Sequence, residues 1–336
     1  MPSDRKIDMG ACQAARRVYV SKKRAVCHRR KELCTGIMVL PALVIALIGL
    51  VAFDIIMETN ILARVPAAVL SSAKICTPTV VNASNIEYHT SHKYYEELKK
   101  MTVPVPVFRD EHTKLCDKKK RKTVKYEYCL PIAGRKDTPF CAAADRTDLL
   151  SLRSAKSICY ASVLHMLLVE VYEELQARGN IPFLAFGSLL GAVRNGSMIP
   201  FTEDVDIGFV GEMSTPDAVK LALRKKGYHM FFMDIWRVCV APTHPLAGHL
   251  YDPNLPVSDN YAVPYVDLYM MKQQDDGDWD LEELNGTNGR ILPYNKVQPF
   301  SQVTINGVPF DTVKDPHFFL TEAYSDDYMT PKPREE

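Results

Sequence analysis

The sequence predicts an α/β protein, a small mixed sheet with helices around it. The sheet follows a single N-terminal apolar segment and a stem. Three observations predict this. The apolar run Phe183-Leu184-Ala185-Phe186 passes through Gly187-Ser188 into Leu189–Arg194, a strand followed by a short helix. After Asn195-Gly196, a turn signal, Asp204-Val205-Asp206-Ile207 alternates acid with apolar residue, as a half-buried strand does. Upstream, Leu164, Leu167, Leu168, Val171 and Leu175 recur at helical spacing.

Taken in chain order, the first element is a basic tail. Residues 1–34 hold ten Lys and Arg against Asp4, Asp8 and Glu32. Ile37 to Phe53 then carries no charge, and Ile55-Ile56-Met57 extends the run beyond Asp54. A membrane span needs about 20 mostly apolar residues. A core helix would show one polar face, and a signal peptide has a shorter leading region. An uncleaved span over 35–57 is therefore the reading taken, with a cytoplasmic N-terminus and a lumenal remainder by the positive-inside rule. The net charge of the whole 336-residue chain is only +1, which gives no electrostatic case for nucleic acid.

Residues 58–145 read as a lumenal stem or accessory segment. It contains Val103-Pro104-Val105-Pro106-Val107 and the charge run Lys118–Lys122, taken as a solvated loop rather than a contact for an acidic glycan or lipid phosphate. Cys12, Cys27 and Cys34 precede or adjoin the span and should stay reduced. Cys76, Cys116, Cys129, Cys141, Cys159 and Cys239 follow it. Their even number permits three disulfides in an oxidising compartment, with pairings left open, and their spacing suits zinc poorly. Asn82-Ala83-Ser84 and Asn285-Gly286-Thr287 are glycosylation acceptors. Asn195-Gly196-Ser197 matches the same pattern in the turn before the acidic strand.

Residues 146–336 read as the main folded domain. Asp148 to Arg178 predicts one or two helices, with His165 as a core histidine. Thr215 to Lys226 predicts another, with Pro216 in its first turn and Gly227 after its end. Tyr228 to Val240 predicts strands bearing Asp234, Trp236 and Arg237. Pro242 to Pro264, with His244, His249 and Asp252, reads as a substrate-binding loop, a histidine metal site being the alternative. Tyr265–Tyr269 alternates as a strand with Asp267 on one face and Val266 and Leu268 on the other. Asp275, Asp276, Asp278 and Asp280 flank Gly277 at a hairpin tip.

The chemistry follows from side-chain direction. Asp204 and Asp206 share one strand face, a pair of hard oxygen ligands suited to Mg²⁺ or Mn²⁺, which bind through few carboxylates plus substrate phosphates. Gly187 leaves its backbone open to a phosphate, Ser188 offers a hydroxyl, and the amides opening the next helix favour an anion. That combination suits phosphoryl or nucleotidyl transfer.

The string Gly-Ser-Leu-Leu-Gly-x-x-Arg, then Ile-Pro, then Glu-Asp-x-Asp resembles the signature of the LicD/fukutin family, which has the nucleotidyltransferase fold. The family string Trp-Asp-Asp-Asp-x-Asp reads Phe201-Thr202-Glu203-Asp204-Val205-Asp206 here. The resemblance covers roughly residues 155–330. At its end, Tyr324-Ser325-Asp326-Asp327-Tyr328 has Ser where members have Gly. It implies Asp267 as a third carboxylate completing a metal site with Asp204 and Asp206, and Gly187, Ser188 and Arg194 at a diphosphate. It further implies a CDP-activated donor such as CDP-ribitol, CDP-glycerol or CDP-choline, a glycan or glycoprotein acceptor, release of CMP, and residence in the Golgi or ER membrane. Two rivals use the same residues or fold: a nucleotidyltransferase making an activated sugar, and a non-catalytic membrane-anchored scaffold.

Overall fold

The computed structural model describes residues 44–45, 48, 74–117, 119, 125–134, 145–151 and 160–331. The basic tail, Cys12, Cys27, Cys34, Cys141 and Cys159 lie outside the described residues. So do the charge run, Lys119 apart, and the apolar segment, apart from Val44, Ile45 and Ile48, which are helical. Among the described residues no helix is long and apolar enough to cross a membrane.

Residues from Lys74 onward form one compact unit. Its frame is a mixed sheet, nine-stranded among the described residues, with the order β10-β11-β3-β4-β7-β6-β5 and with β8 pairing β7 and β9. The strands are β3 Pro182–Leu184, β4 Asp204–Val210, β5 Tyr228–Met233, β6 Ile235–Val240, β7 Tyr265–Gln273, β8 Trp279–Leu281, β9 Ile291–Leu292, β10 Ser301–Ile305 and β11 Val308–Thr312. A short pair, β1 Ile75–Cys76 and β2 Phe108–Arg109, stands apart. The helices are α1 Lys93–Lys100, α2 Tyr160–Ala177, α3 Phe186–Asn195, α4 Pro216–Lys226, α5 Ala247–Leu250, α6 Tyr294–Val297 and α7 Pro316–Tyr324.

β4 and β7 lie side by side in parallel, and this pairing organises the sheet. Val205, Ile207 and Phe209 on β4, with Val266 and Leu268 on β7, are buried on one face, toward α2. Each such side chain contributes roughly 1.5–3 kcal/mol by leaving water. Alternation then sends the acids of both strands to the other face. Gly208 has a packing reason: β3 runs antiparallel alongside with Phe183 opposite Gly208, and a Cβ there would stand 2.2 Å from the Phe183 ring.

Three elements differ from the sequence reading. The strand at Phe183–Phe186 ends at Leu184, and α3 begins at Phe186, so Gly187 and Ser188 belong to the first helical turn. Asp234 is not on a strand. It has φ 65° and turns the β5–β6 hairpin, a conformation that Asp tolerates better than most residues. The helix α2 shows no single apolar stripe. Nearly every residue from Tyr160 to Leu175 is buried, His165, Glu170 and Glu174 included.

The second face of α2 is covered by the segment read as a stem. Tyr94, Tyr95, Leu98, Phe108, Leu115, Leu130 and Ile132 join the same apolar core as the sheet. Backbone bonds also lace the segment to the sheet domain: Val81 N–H to Thr243 O (2.8 Å), Leu130 N–H to Val240 O (2.8 Å) and Asp252 N–H to Pro131 O (3.0 Å). The Cys76–Cys116 and Cys129–Cys239 disulfides are formed, and the second joins the segment to β6. From Lys74 on, the expected boundary at 145–146 therefore lies inside one folded unit.

Candidate active site

The register of β4 and β7 sets Asp206 opposite Asp267 and Asp204 opposite Tyr265. Ligand-capable oxygens of Asp204, Asp206 and Asp267 lie within 4.8 Å of one another, the only such cluster of metal-binding side chains among the described residues. Asp206 and Asp267 are buried and Asp204 is half-buried. Clustering like charges out of water is unfavourable without a counter-charge. Burial first, then the charges of Asp204 and Asp267, push the Asp206 carboxyl well above the usual carboxylate range. Burial likewise raises Asp267, to about 6, with Arg237 opposing the shift and Asp204 adding to it. Three converging hard oxygen donors under mutual repulsion fit a divalent cation of the Mg²⁺ or Mn²⁺ kind.

Each carboxylate is held. The Gly187 N–H, in the first turn of α3, donates to Asp206 Oδ2 at 2.9 Å, and a Cβ on residue 187 would stand 2.9 Å from that oxygen. Glycine is what lets the backbone come this close. The Asp206 N–H donates to Ser188 Oγ at 2.8 Å. The Tyr269 hydroxyl sits between the two strands, 3.2 Å from Asp206 Oδ1 and 3.2 Å from Asp267 Oδ2. Arg237 Nε on β6 pairs with Asp267 Oδ1 at 2.8 Å, and its Nη1 donates to the Met233 carbonyl. The Thr202 hydroxyl donates to Asp204 Oδ1 at 3.0 Å. Phe186 opens α3 at φ 38°, a left-handed conformation that costs a bulky residue roughly 1–3 kcal/mol. Its ring is fixed against Tyr269 (4.7 Å) and Phe319 (5.5 Å).

The expected site residues thus divide. Asp204, Asp206 and Asp267 come together. Gly187 and Ser188 adjoin them, but the amide and hydroxyl expected at a phosphate are bonded to Asp206. Arg194 points away along α3: its Nε donates to the Tyr328 carbonyl at 2.8 Å, and its Nη2 reaches the carbonyls of Tyr328 and Thr330. It fastens the C-terminal segment, which passes Ser325 at φ 72°, where the family pattern carries Gly. Tyr324 in turn lies near the acids, and burial and the charges of Asp206 and Asp204 raise its hydroxyl above the usual tyrosine range.

The histidine loop divides as well. His244 is buried, with Nε2 3.2 Å from the Tyr228 hydroxyl and Nδ1 accepting from the Leu246 N–H. Burial lowers its pKa to about 3. It is a packing residue, and its half of the loop lies in the interior. The far half does reach the site: Tyr261 donates its hydroxyl to Glu203 Oε2 at 2.9 Å. Sequence reasoning missed Tyr269, Arg237 and Tyr261. Tyr269 was findable, since it lies two residues from Asp267 on an alternating strand. Arg237 and Tyr261 are brought in by pairings that have no local signal.

An α/β sheet domain with three carboxylates converging beside a helix N-terminus has the donor set that could hold a metal ion. Residues 181–312 match the family model described as LicD/FKTN/FKRP, nucleotidyltransferase domain, which supports the resemblance to that family. No curated protein matches the chain. Solved structures similar to it include two antibiotic-bound or antibiotic-product complexes. One is ANT(2")-Ia in complex with adenylyl-2"-tobramycin, at 15% identity over 48% of this chain and 72% of that chain, TM-score 0.30. The other is the lincosamide antibiotic adenylyltransferase LnuA, lincomycin-bound, at 16% identity over 44% and 77%, TM-score 0.27. Scores this low carry no further argument.

Proposed function

We propose that the chain is a metal-dependent phosphotransferase that moves a phospho-alcohol from a CDP-activated donor to a glycan hydroxyl and releases CMP. The match to the LicD/FKTN/FKRP domain model supports a phosphotransferase-like transferase. The single observation that carries the reading is the convergence of Asp204, Asp206 and Asp267 within 4.8 Å on that domain. These three would hold Mg²⁺ or Mn²⁺, which when bound draws charge from the transferring phosphoryl group.

In the reaction, the acceptor oxygen forms a bond to the phosphorus distal to cytidine. The bond from that phosphorus to the bridging oxygen breaks, CMP leaves with the oxygen, and the acceptor proton is lost. The chain's own residues set the geometry. Gly187, Ser188 and Tyr269 fix Asp206, Thr202 fixes Asp204, and Arg237 fixes Asp267. Arg237 also places a cation next to the three acids, where a donor phosphate would lie. We assign it that contact ahead of Arg194, whose guanidinium is spent on the C-terminal carbonyls.

The proposed placement is lumenal, in the Golgi or ER, behind a single type II span. The basic tail before the uncharged run Ile37–Phe53 supports it, as do two formed disulfides, which persist in oxidising compartments. A tag at residue 1 should be open to protease in sealed microsomes and one at residue 336 protected; the reverse pattern would reject the lumenal enzyme. For the activity, the full chain in detergent is offered CDP-ribitol, CDP-glycerol and CDP-choline with Mn²⁺. Metal-dependent CMP release from one of them is the expected result. Release from none, with folded protein and a range of glycan acceptors, would refute the reading.

A further inference from the structure

We propose that Tyr261 is the stacking platform for the base of the nucleotide donor; this rests on the phosphotransferase reading above. The location follows from register. Tyr265 is the strand partner of Asp204 and stands two residues before Asp267, so its side chain shares the face of the acids. Tyr261 packs edge-on against Tyr265, with ring centroids 5.9 Å apart and planes at 81°, and lies 6.1 Å from the ring of Tyr126. Its hydroxyl is tied to Glu203, the neighbour of Asp204, and its own N–H donates to Ser258 Oγ at 3.1 Å.

The three rings differ in exposure. Tyr126 and Tyr265 are 3% and 7% exposed, whereas Tyr261 is 48% exposed. A solvated surface tyrosine leaves its polar end in water and packs its ring where it can. Here the hydroxyl end is bound to a carboxylate and the ring is backed by two others, yet nearly half the residue faces solvent beside the acids. A ring held this way has little freedom to lose when a ligand stacks on it. Its chemistry suits a planar base, since base–aromatic stacking needs only an open π-face.

The backing comes from the N-terminal segment. Tyr126 is three residues from Cys129, whose disulfide to Cys239 fastens it to β6. Tyr126, Cys129, Phe231, Cys239 and Tyr265 form an apolar cluster separate from the main core, with Ala262 and Val263 packed against it. The accessory segment therefore supplies part of the backing behind Tyr261.

The test is equilibrium binding of CMP and of ribose 5-phosphate to the full chain in detergent with Mn²⁺, for wild type, Tyr261→Ala and Tyr261→Phe. The alanine variant should weaken CMP by about tenfold and leave ribose 5-phosphate unchanged. The phenylalanine variant keeps the ring and should bind CMP within about twofold of wild type. The platform is overturned if Tyr261→Ala binds CMP as wild type does, if it loses both ligands equally, or if Tyr261→Phe loses as much as Tyr261→Ala. Wild type binding CMP no tighter than ribose 5-phosphate also removes the platform, while the metal and phosphate half of the site stands. Wild type binding neither ligand removes the nucleotide-donor reading with it.

Discussion

Replacing Asp206 by Asn separates the needs of the fold from those of the chemistry. Asp206 is buried within 4.8 Å of Asp204 and Asp267. Ionised, Asp206 would repel a neighbouring carboxylate at that distance by roughly 3 kcal/mol at an effective dielectric of about 20. Its raised pKa expresses the same cost, since near neutral pH without metal the folded carboxyl holds a proton that the unfolded chain has given up. One such repulsion is counted, because Arg237 offsets the Asp267 charge at 2.8 Å. Asn fits the existing bonds: its carbonyl oxygen can take the Gly187 N–H, and its amide can donate to the Tyr269 oxygen, whose hydrogen still serves Asp267. Exchanging charged for neutral hydrogen bonds loses roughly 1 kcal/mol. The net gain is about 2 kcal/mol without metal, a rise in melting temperature of about 4–8 °C for a domain of this size. Turnover should fall by about 10²–10³, since one electrostatic contact to the developing charge is lost. The assay is thermal melting of the full chain in EDTA and in Mn²⁺, beside CMP release. Wild type should be stabilised by Mn²⁺ and the variant should not be. A variant that melts lower than wild type in EDTA, or that keeps the full Mn²⁺ gain, would refute the assignment of the site.

Three further predictions concern the frame. Glu170 lies buried in α2 facing Lys226, Tyr228, Arg146 and Glu173, and burial raises its pKa from 4.5 to about 7. The folded state therefore binds this proton more tightly than the unfolded state, and the group's contribution to stability is lost as pH rises from 4.5 through about 7. Glu170→Gln should raise the melting temperature near pH 8 and change it little near pH 5; an equal change at both would discard that account. Gly208→Ala should be severely destabilising, by about 2 kcal/mol or more, because its methyl would enter the Phe183 ring, and a melting curve unchanged from wild type would show that β3 does not pack as described. The double substitution Cys129→Ser, Cys239→Ser opens a link spanning 110 residues and should cost about 2–5 kcal/mol in denaturant melts. Labelling of both thiols in unreduced wild type would contradict the bridge.

Strand faces and the bounds of α4 are local properties and were legible in the sequence. Strand alternation alone put Asp204 and Asp206 on one face and Asp267 opposite Val266 and Leu268, because a pleated strand leaves no other choice. Pro216 and Gly227 bound α4 for equally local reasons: proline suits the first turn, and residue 227 has φ 92°, which glycine adopts without strain. The motif from Gly187 to Asp206 marks the candidate site because its parts are neighbours in sequence.

Only the tertiary structure decided how those parts are used. The parallel pairing of β4 with β7 brings Asp206 level with Asp267 across 61 residues, and no periodicity specifies register between strands so far apart. That same register puts the Tyr269 hydroxyl between both carboxylates, and β6 brings Arg237 beside Asp267. Gly187 and Ser188 have the residue types of a phosphate cradle, yet the close approach of α3 to β4 gives their donor and acceptor to Asp206. The largest difference is the stretch from Lys74 to Ser151. Its short turns and extended pieces carry no long hydrophobic period, so it reads as a stem. Its tyrosines and leucines nevertheless bury the second face of α2, and its disulfide carries Tyr126 to the site, because burial depends on what the chain meets in space rather than on the pattern it presents in sequence.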